Sequence, residues 1–153
     1  MGRAWSRAGL VLAAVLLVDQ VTKALVRCEV ELGSEDRVLP LVTLVHSRNS
    51  GVAFGVFEDQ LVVVVIVIAL AIAALVAYFA THRDRPLAWL PTGLLAGGAI
   101  GNVVDRVRYG FVTDFIKLPS WPAFNFADMA ITFGVLALLL VVERSDDRAA
   151  KHA

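Results

Sequence analysis

The chain has 153 residues, 58% of them hydrophobic and 18% charged, with a mean hydropathy of +0.73. Its formal net charge is zero, so electrostatics gives no case for nucleic acid or for an acidic partner. The apolar residues come in long runs that a water-soluble core does not need, which points to an integral membrane protein of one domain over residues 1–153. His46, His82 and His152 are scattered without metal-ligand spacing, so no metal is expected. Cys28 is the only cysteine, which rules out an intrachain disulfide. It follows Leu25-Val26-Arg27, and Arg27 stands where a lipidation box needs a small residue.

The first apolar run, 8–26, follows Arg3, Trp5 and Arg7. It carries Asp19 and Lys23 in its second half and no small-x-small cleavage site, so it reads as a retained span rather than a signal peptide. Asp19 and Lys23 are four apart and share a helical face, where a structural ion pair is expected. Over 27–60 charges of both signs appear. The β-branched and leucine-rich run 38–45 contains Pro40, which predicts an edge strand. Asn49-Ser50-Gly51 is a turn signal before a second short apolar run, 52–57, giving a small β-element outside the bilayer core.

Residues 61–79 contain no charge and span about 28 Å as a helix, enough for a hydrocarbon core. A third span, 87–104, places Gly93, Gly97 and Gly101 four residues apart beside Gly98, a face that lets another helix approach closely. Asn102, Asp105 and Arg106 follow at its end. The stretch 105–124 mixes aromatics with Arg108, Lys117, Pro119 and Pro122, and Trp121 suits the headgroup region. The fourth span, 125–142, opens on Asn125 as a helix cap with Asp128 in the first turn.

Four spans leave both termini on one side. Arg3, Arg7, Arg83, Arg85, Arg144, Arg148 and Lys151 fall on the side of the termini, and seven other basic residues fall toward the opposite side. The short Arg83/Arg85 loop tips the balance to cytoplasmic termini. Asp19, Asn49, Asn102, Asp105, Asp114, Asn125 and Asp128 then converge toward the other face. Two neighbouring carboxylates cannot both ionise comfortably and share one proton. In such a pair the carboxylate activates water while the protonated partner polarises a scissile carbonyl. Spacing leaves the pair open among Asp105, Asp114 and Asp128. Two rival classes use the same residues: a small transporter or proton channel relaying protons through the aspartates, and a noncatalytic scaffold built on the glycine ladder.

These motifs, in their order and in a chain of this length, resemble the lipoprotein signal peptidase (signal peptidase II) family of aspartic intramembrane proteases. Asp19-Gln20-Val21-Thr22-Lys23 matches the first motif and Asn49-Ser50-Gly51-Val52-Ala53-Phe54 the second. Gly98 to Arg106, reading GAIGNVVDR, matches the third, followed by Val112-Thr113-Asp114-Phe115; Asn125-Phe126-Ala127-Asp128 matches the last. The resemblance implies that Asp114 and Asp128 are the catalytic dyad. It makes Asn49, Asn102, Asp105, Arg106 and Asn125 supporting residues, and Asp19 with Lys23 a structural pair. It implies a membrane all-α fold, a four-transmembrane-helix bundle with a small periplasmic β-cradle and an interfacial segment, over periplasmic segments 27–60 and 105–124. The implied setting is the bacterial cytoplasmic (inner) membrane, with both termini cytoplasmic. The implied substrate is a diacylglyceryl-modified prolipoprotein cut before its lipidated cysteine, among membrane lipids, with no cofactor and with sensitivity to globomycin-type inhibitors. Val52, where alanine is usual, and the short connection 116–127 depart from the family's pattern.

Overall fold

Helix α1 (Gly2–Glu29) inverts the pattern of a water-soluble helix. Its buried stripe is Ala8, Val15, Asp19, Lys23 and Val26, while Leu10, Leu17 and Leu25 lie exposed. Apolar side chains outward and charges inward is what a lipid solvent selects. The computed structural model describes residues 2–50 and 61–150. Beyond α1 it contains β1 (Glu35–Leu39), β2 (Val42–Asn49), α2 (Leu61–His82), α3 (Trp89–Tyr109), β3 (Val112–Lys117) and α4 (Phe126–Ala150).

Among the described residues, Gly2–Glu29, Val62–His82 and Phe126–Glu143 are long and apolar enough to cross a membrane. Helix α3 falls short of that apolarity because Asp105, Arg106 and Arg108 crowd its last turns. All four helices run past the apolar stretches that predicted them. A backbone leaving the hydrocarbon keeps its hydrogen bonds inside the helix until water or other partners replace them.

The helices pack through the glycine face of α3, as its spacing predicts. A Cβ on Gly93 would lie 2.6 Å from that of Val11, and one on Gly97 2.9 Å from the carbonyl of Leu12, both on α1. One on Gly98 would lie 2.5 Å from the carbonyl of Ala127 on α4. At one end Ala8, Phe79, Ala88 and Val141 form an apolar cluster, with Trp5 edge-on to Phe79 at 4.7 Å. That cluster joins the start of α1, the end of α2, the start of α3 and the later part of α4. The polar residues collect at the opposite end.

The sheet corrects the sequence reading in three ways. Pro40 is not inside an edge strand over 38–45: it occupies the turn of an antiparallel β1–β2 hairpin. A ring-locked φ and a missing N–H suit a turn better than a ladder. Asn49 ends β2 rather than sitting in a turn, and the run 52–57 lies outside the described residues. The third strand comes from Val112–Lys117, a stretch read as part of the interfacial connection. It pairs antiparallel with β2, in the order β1-β2-β3. Gly110, at φ +80, closes α3 in the left-handed conformation, its N–H donating to the carbonyl of Arg106 at 2.9 Å. That turn feeds β3 directly from the end of α3.

Candidate active site

Asp114 lies in the buried half of β3, and Asn49 at the end of β2. Asn49 is paired with Val112, so it and Asp114 are diagonal neighbours on one face of the sheet. Asn49 Nδ2 donates to Asp114 Oδ2 at 3.0 Å. On the other side Asn125 Nδ2 donates to Asp114 Oδ1 at 2.7 Å. Both oxygens are therefore held by neutral amides, and the residue is only 2% exposed. Burial pushes the Asp114 carboxyl up to about 6; the Asn49 hydrogen bond opposes this, and the neighbouring charge of Asp128 adds to it.

Asp128 is placed by the start of α4. The Asp128 N–H donates to Asn125 Oδ1 at 3.0 Å, and the Asn125 N–H donates to Asp128 Oδ2 at 3.1 Å. This is a reciprocal capping box with Asp in place of the usual Glu. It confirms Asn125 as the helix cap. The same Asn125 side chain thus joins Asp114 to the first turn that carries Asp128. The other oxygen, Asp128 Oδ1, accepts from Asn102 Nδ2 at 2.8 Å.

The orientation of Asn102 is fixed from below. Its Oδ1 accepts from Lys23 Nζ at 2.9 Å and from Asn125 Nδ2 at 3.2 Å. Two donors on one side of the amide leave Nδ2 free only toward Asp128. Lys23 is wholly buried, 2.9 Å from Asp19 Oδ2 and 3.5 Å from Asp105 Oδ2. Asp19 Oδ1 also accepts the Ala127 N–H at 3.0 Å. The expected Asp19–Lys23 pair is present, and it ties α1 to both α3 and α4.

Asp105, one of three aspartates that spacing left open, sits with that lysine network. Its Oδ2 accepts the Thr113 N–H at 3.1 Å, which fixes β3 one residue before Asp114. Arg106 is buried, donates through Nη1 to the Asn102 carbonyl at 3.3 Å, and acts electrostatically on Asp128, Asp114 and Asp105. Sequence reasoning gave no role to Gln20, Arg27 or Thr113. Gln20 Nε2 reaches Asp19 Oδ2 at 3.1 Å, the Gly101 carbonyl at 3.2 Å and Asp105 Oδ1 at 3.2 Å. Arg27 Nη1 donates to Thr113 Oγ1 at 3.0 Å and lies 3.7 Å from Asp105. The signal was there: Gln20, Lys23 and Arg27 fall at helical spacing on one side of α1.

Asp114 and Asp128 share the wall of one cavity of about 730 Å³, with Asn49, Asn102 and Arg106. Val64, Val67, Ile68, Ile131 and Phe133 supply apolar wall from α2 and α4. Asp19, Lys23 and Asp105 do not reach this cavity. No group of His, Cys, Asp and Glu among the described residues is arranged to hold a metal ion.

Both the sequence and the fold match known proteins. The family model for signal peptidase (SPase) II matches residues 11–143. A lipoprotein signal peptidase from Pelotomaculum thermopropionicum is 40% identical over 144 residues, covering 93% of this chain and 95% of that protein. That from Syntrophomonas wolfei is 41% identical, covering 91% and 94%. A bacterial membrane enzyme solved by the in meso method at 2.3 Å superposes with a TM-score of 0.85 at 29% identity, covering 92% of this chain and 90% of that one. A second, at 1.9 Å, gives 0.79 at 30% identity, covering 88% and 91%. The chain therefore belongs to the signal peptidase II family.

Proposed function

We propose that Asp114 and Asp128 are the catalytic dyad of a peptidase that removes signal peptides from prolipoproteins. Family membership supplies the activity and sets aside the transporter and scaffold readings. The observation that carries the residue assignment is Asn125. One side chain bonds the Asp114 carboxyl and the main chain of Asp128, bringing two carboxylates to the wall of one cavity.

The two aspartates take different parts. Asp114 is buried and its carboxyl is pushed up to about 6, which suits it to the part of proton holder. Asp128 sits where a helix N-terminus favours negative charge, and it is the base. Asp128 takes a proton from water as the oxygen attacks the scissile carbonyl, and the Asp114 proton stabilises the developing oxyanion. When the tetrahedral intermediate collapses, the C–N bond breaks and the proton held by Asp128 passes to the leaving amine. Arg106 adds positive charge at the cavity wall, and Asn49, Asn102 and Asn125 hold the carboxyl planes. Asp105 and the Asp19–Lys23 pair are positioning residues.

The substrate is a diacylglyceryl-modified prolipoprotein cut before its lipidated cysteine. The apolar cavity wall suits acyl chain or signal-peptide side chains, and binding energy from those remote groups orients the carbonyl. A globomycin-type inhibitor would compete for the same cavity. The chain is a single domain in which α3 crosses the membrane with the other three helices. Its glycine face and its 21-residue length, about 31 Å, support that reading. The start of α1 and the later part of α4 lie at the apolar-cluster end; the dyad faces the periplasmic side of the bacterial inner membrane, and the termini face the cytoplasm.

The test is a gel-shift assay of a lipidated precursor with purified wild type, Asp114→Asn and Asp128→Asn. Loss of cleavage in both folded variants is expected. Cleavage retained by either one removes that residue from the dyad.

A further inference from the structure

Behind Asp114, on the far side of β3, stands a group of side chains that the proposed chemistry does not use. Successive strand residues face opposite ways, so Thr113 and its cross-strand partner Arg48 point away from the face that carries Asp114 and Asn49. Thr113 is fully buried. Arg27, in the last turn of α1, donates through Nη1 to Thr113 Oγ1 at 3.0 Å. The same guanidinium lies 4.5 Å from the centre of the Tyr109 ring and 3.7 Å from Asp105. The Tyr109 and Phe111 rings are 6.1 Å apart, and the Arg48 guanidinium lies 4.7 Å from the Phe111 ring. This row of cation, ring, ring and cation brackets the left-handed Gly110 turn that joins α3 to β3. None of its members, nor Thr113, lines the dyad cavity.

Thr113 immediately precedes Asp114, and it is held at two points. Its N–H donates to Asp105 Oδ2 at 3.1 Å, while its hydroxyl oxygen accepts from Arg27. The first bond comes from α3 and the second from α1. One bond alone leaves the strand a pivot; a second, from a different helix, removes it. An arginine suits this place because the edge and the face of a guanidinium act separately. Its edge bonds Thr113 while its face covers the Tyr109 ring. A lysine ammonium is a compact point charge and cannot do both.

We infer that Arg27 is a positioning residue for the cleavage reaction: acting through Thr113, it sets the direction in which Asp114 enters the dyad cavity. The inference rests on the dyad assignment. Arg27 lies off the cavity wall, so its influence falls on the chemical step and not on substrate binding. Small errors in the aim of a reacting group are costly to the rate, which is why a brace behind the strand matters to catalysis.

The test measures kcat and KM on a lipidated precursor for wild type, Arg27→Lys, Thr113→Val, Thr113→Ser and the Arg27→Lys/Thr113→Val double variant. Rates are taken per folded enzyme, from the monodisperse fraction in detergent. Arg27→Lys and Thr113→Val are each expected to lower kcat about tenfold, the scale of one hydrogen bond to a charged group, with KM unchanged. Thr113→Ser keeps the hydroxyl and is expected to keep most of kcat. The double variant is expected to be no slower than the slower single one, because both changes break the same bond. A purely structural role moves the unfolding midpoint and leaves kcat of the folded enzyme alone. Thr113→Val keeps a β-branched side chain and the N–H bond to Asp105, so it decides the matter if Arg27→Lys does not fold. Wild-type kcat in Thr113→Val, a loss confined to KM, or single losses that multiply in the double variant overturns the proposal. Cleavage by Asp114→Asn would remove the dyad assignment and this inference with it. Wild-type kcat in Thr113→Val while Asp114→Asn is inactive overturns this inference alone.

Discussion

Two groups of aspartates sit within one end of this molecule and are treated in opposite ways. Asp19 and Asp105 are fully buried around the Lys23 ammonium, with further donors from Gln20, Ala127 and Thr113. Asp114 and Asp128 are held by asparagine amides and a main-chain N–H, and they line a cavity. A carboxylate whose oxygens are occupied by a buried cation and its other donors, as in Asp19 and Asp105, is closed off from the cavity. One held by amides beside another carboxylate can exchange a proton, which hydrolysis needs. On the proposed assignment, the first group builds the platform and the second carries the chemistry.

The largest effect comes from breaking the second group alone. Asp114→Asn or Asp128→Asn keeps the shape and most hydrogen-bonding capacity of the site. We expect kcat to fall by at least about a thousandfold, the scale of losing a catalytic acid or base, with thermal unfolding in detergent little changed. A variant that loses activity only by unfolding would erase the contrast.

Breaking the first group should do the reverse. Lys23→Met leaves two buried carboxylates around an apolar side chain, at a cost of about 3–5 kcal/mol. The unfolding midpoint in detergent should drop before any kinetic comparison is possible. A gentler probe is Gly101→Ala, because a Cβ there would lie 2.5 Å from Asp19 Oδ2. Overpacking of that kind costs about 1–3 kcal/mol. It should lower the midpoint by less than Lys23→Met while leaving the dyad chemistry in the surviving folded fraction.

The platform was more legible in the sequence than the sheet. Glycines four apart and Asp19 four residues before Lys23 declare their shared faces, because a helix has one dominant period. The α4 cap was legible for the same reason, from Asn125 and the acid three residues on. Strand β3 was not, since six residues carry no turn signal that separates them from an interfacial connection, and their partner lies over sixty residues away. The pairing of Asn49 with Asp114 depends on that strand. Local pattern alone therefore left three aspartates level, and family resemblance singled out two. The role of Asp105 in fixing the Thr113 main chain is a tertiary contact that no spacing announces.

The smallest effect is the one that tests the division of labour inside the dyad. Asp114 is raised from 3.8 to about 6, first by burial, with the Asn49 hydrogen bond pulling the other way. If Asp114 supplies the proton, kcat/KM of the wild type should decline as pH rises through about 6, where the free enzyme loses that proton. The same sign governs stability. A carboxyl whose folded value is raised contributes stability that is full below about 4 and is lost as pH climbs toward 6. Asn49→Ala removes a donor that favours the ionised form, so the Asp114 carboxyl should rise further. The alkaline limb of the pH profile should therefore move to higher pH, even as the maximal rate falls from poorer alignment. A limb that moves to lower pH, or stays fixed while the rate drops, would mean that Asp114 is not the group that gives the proton.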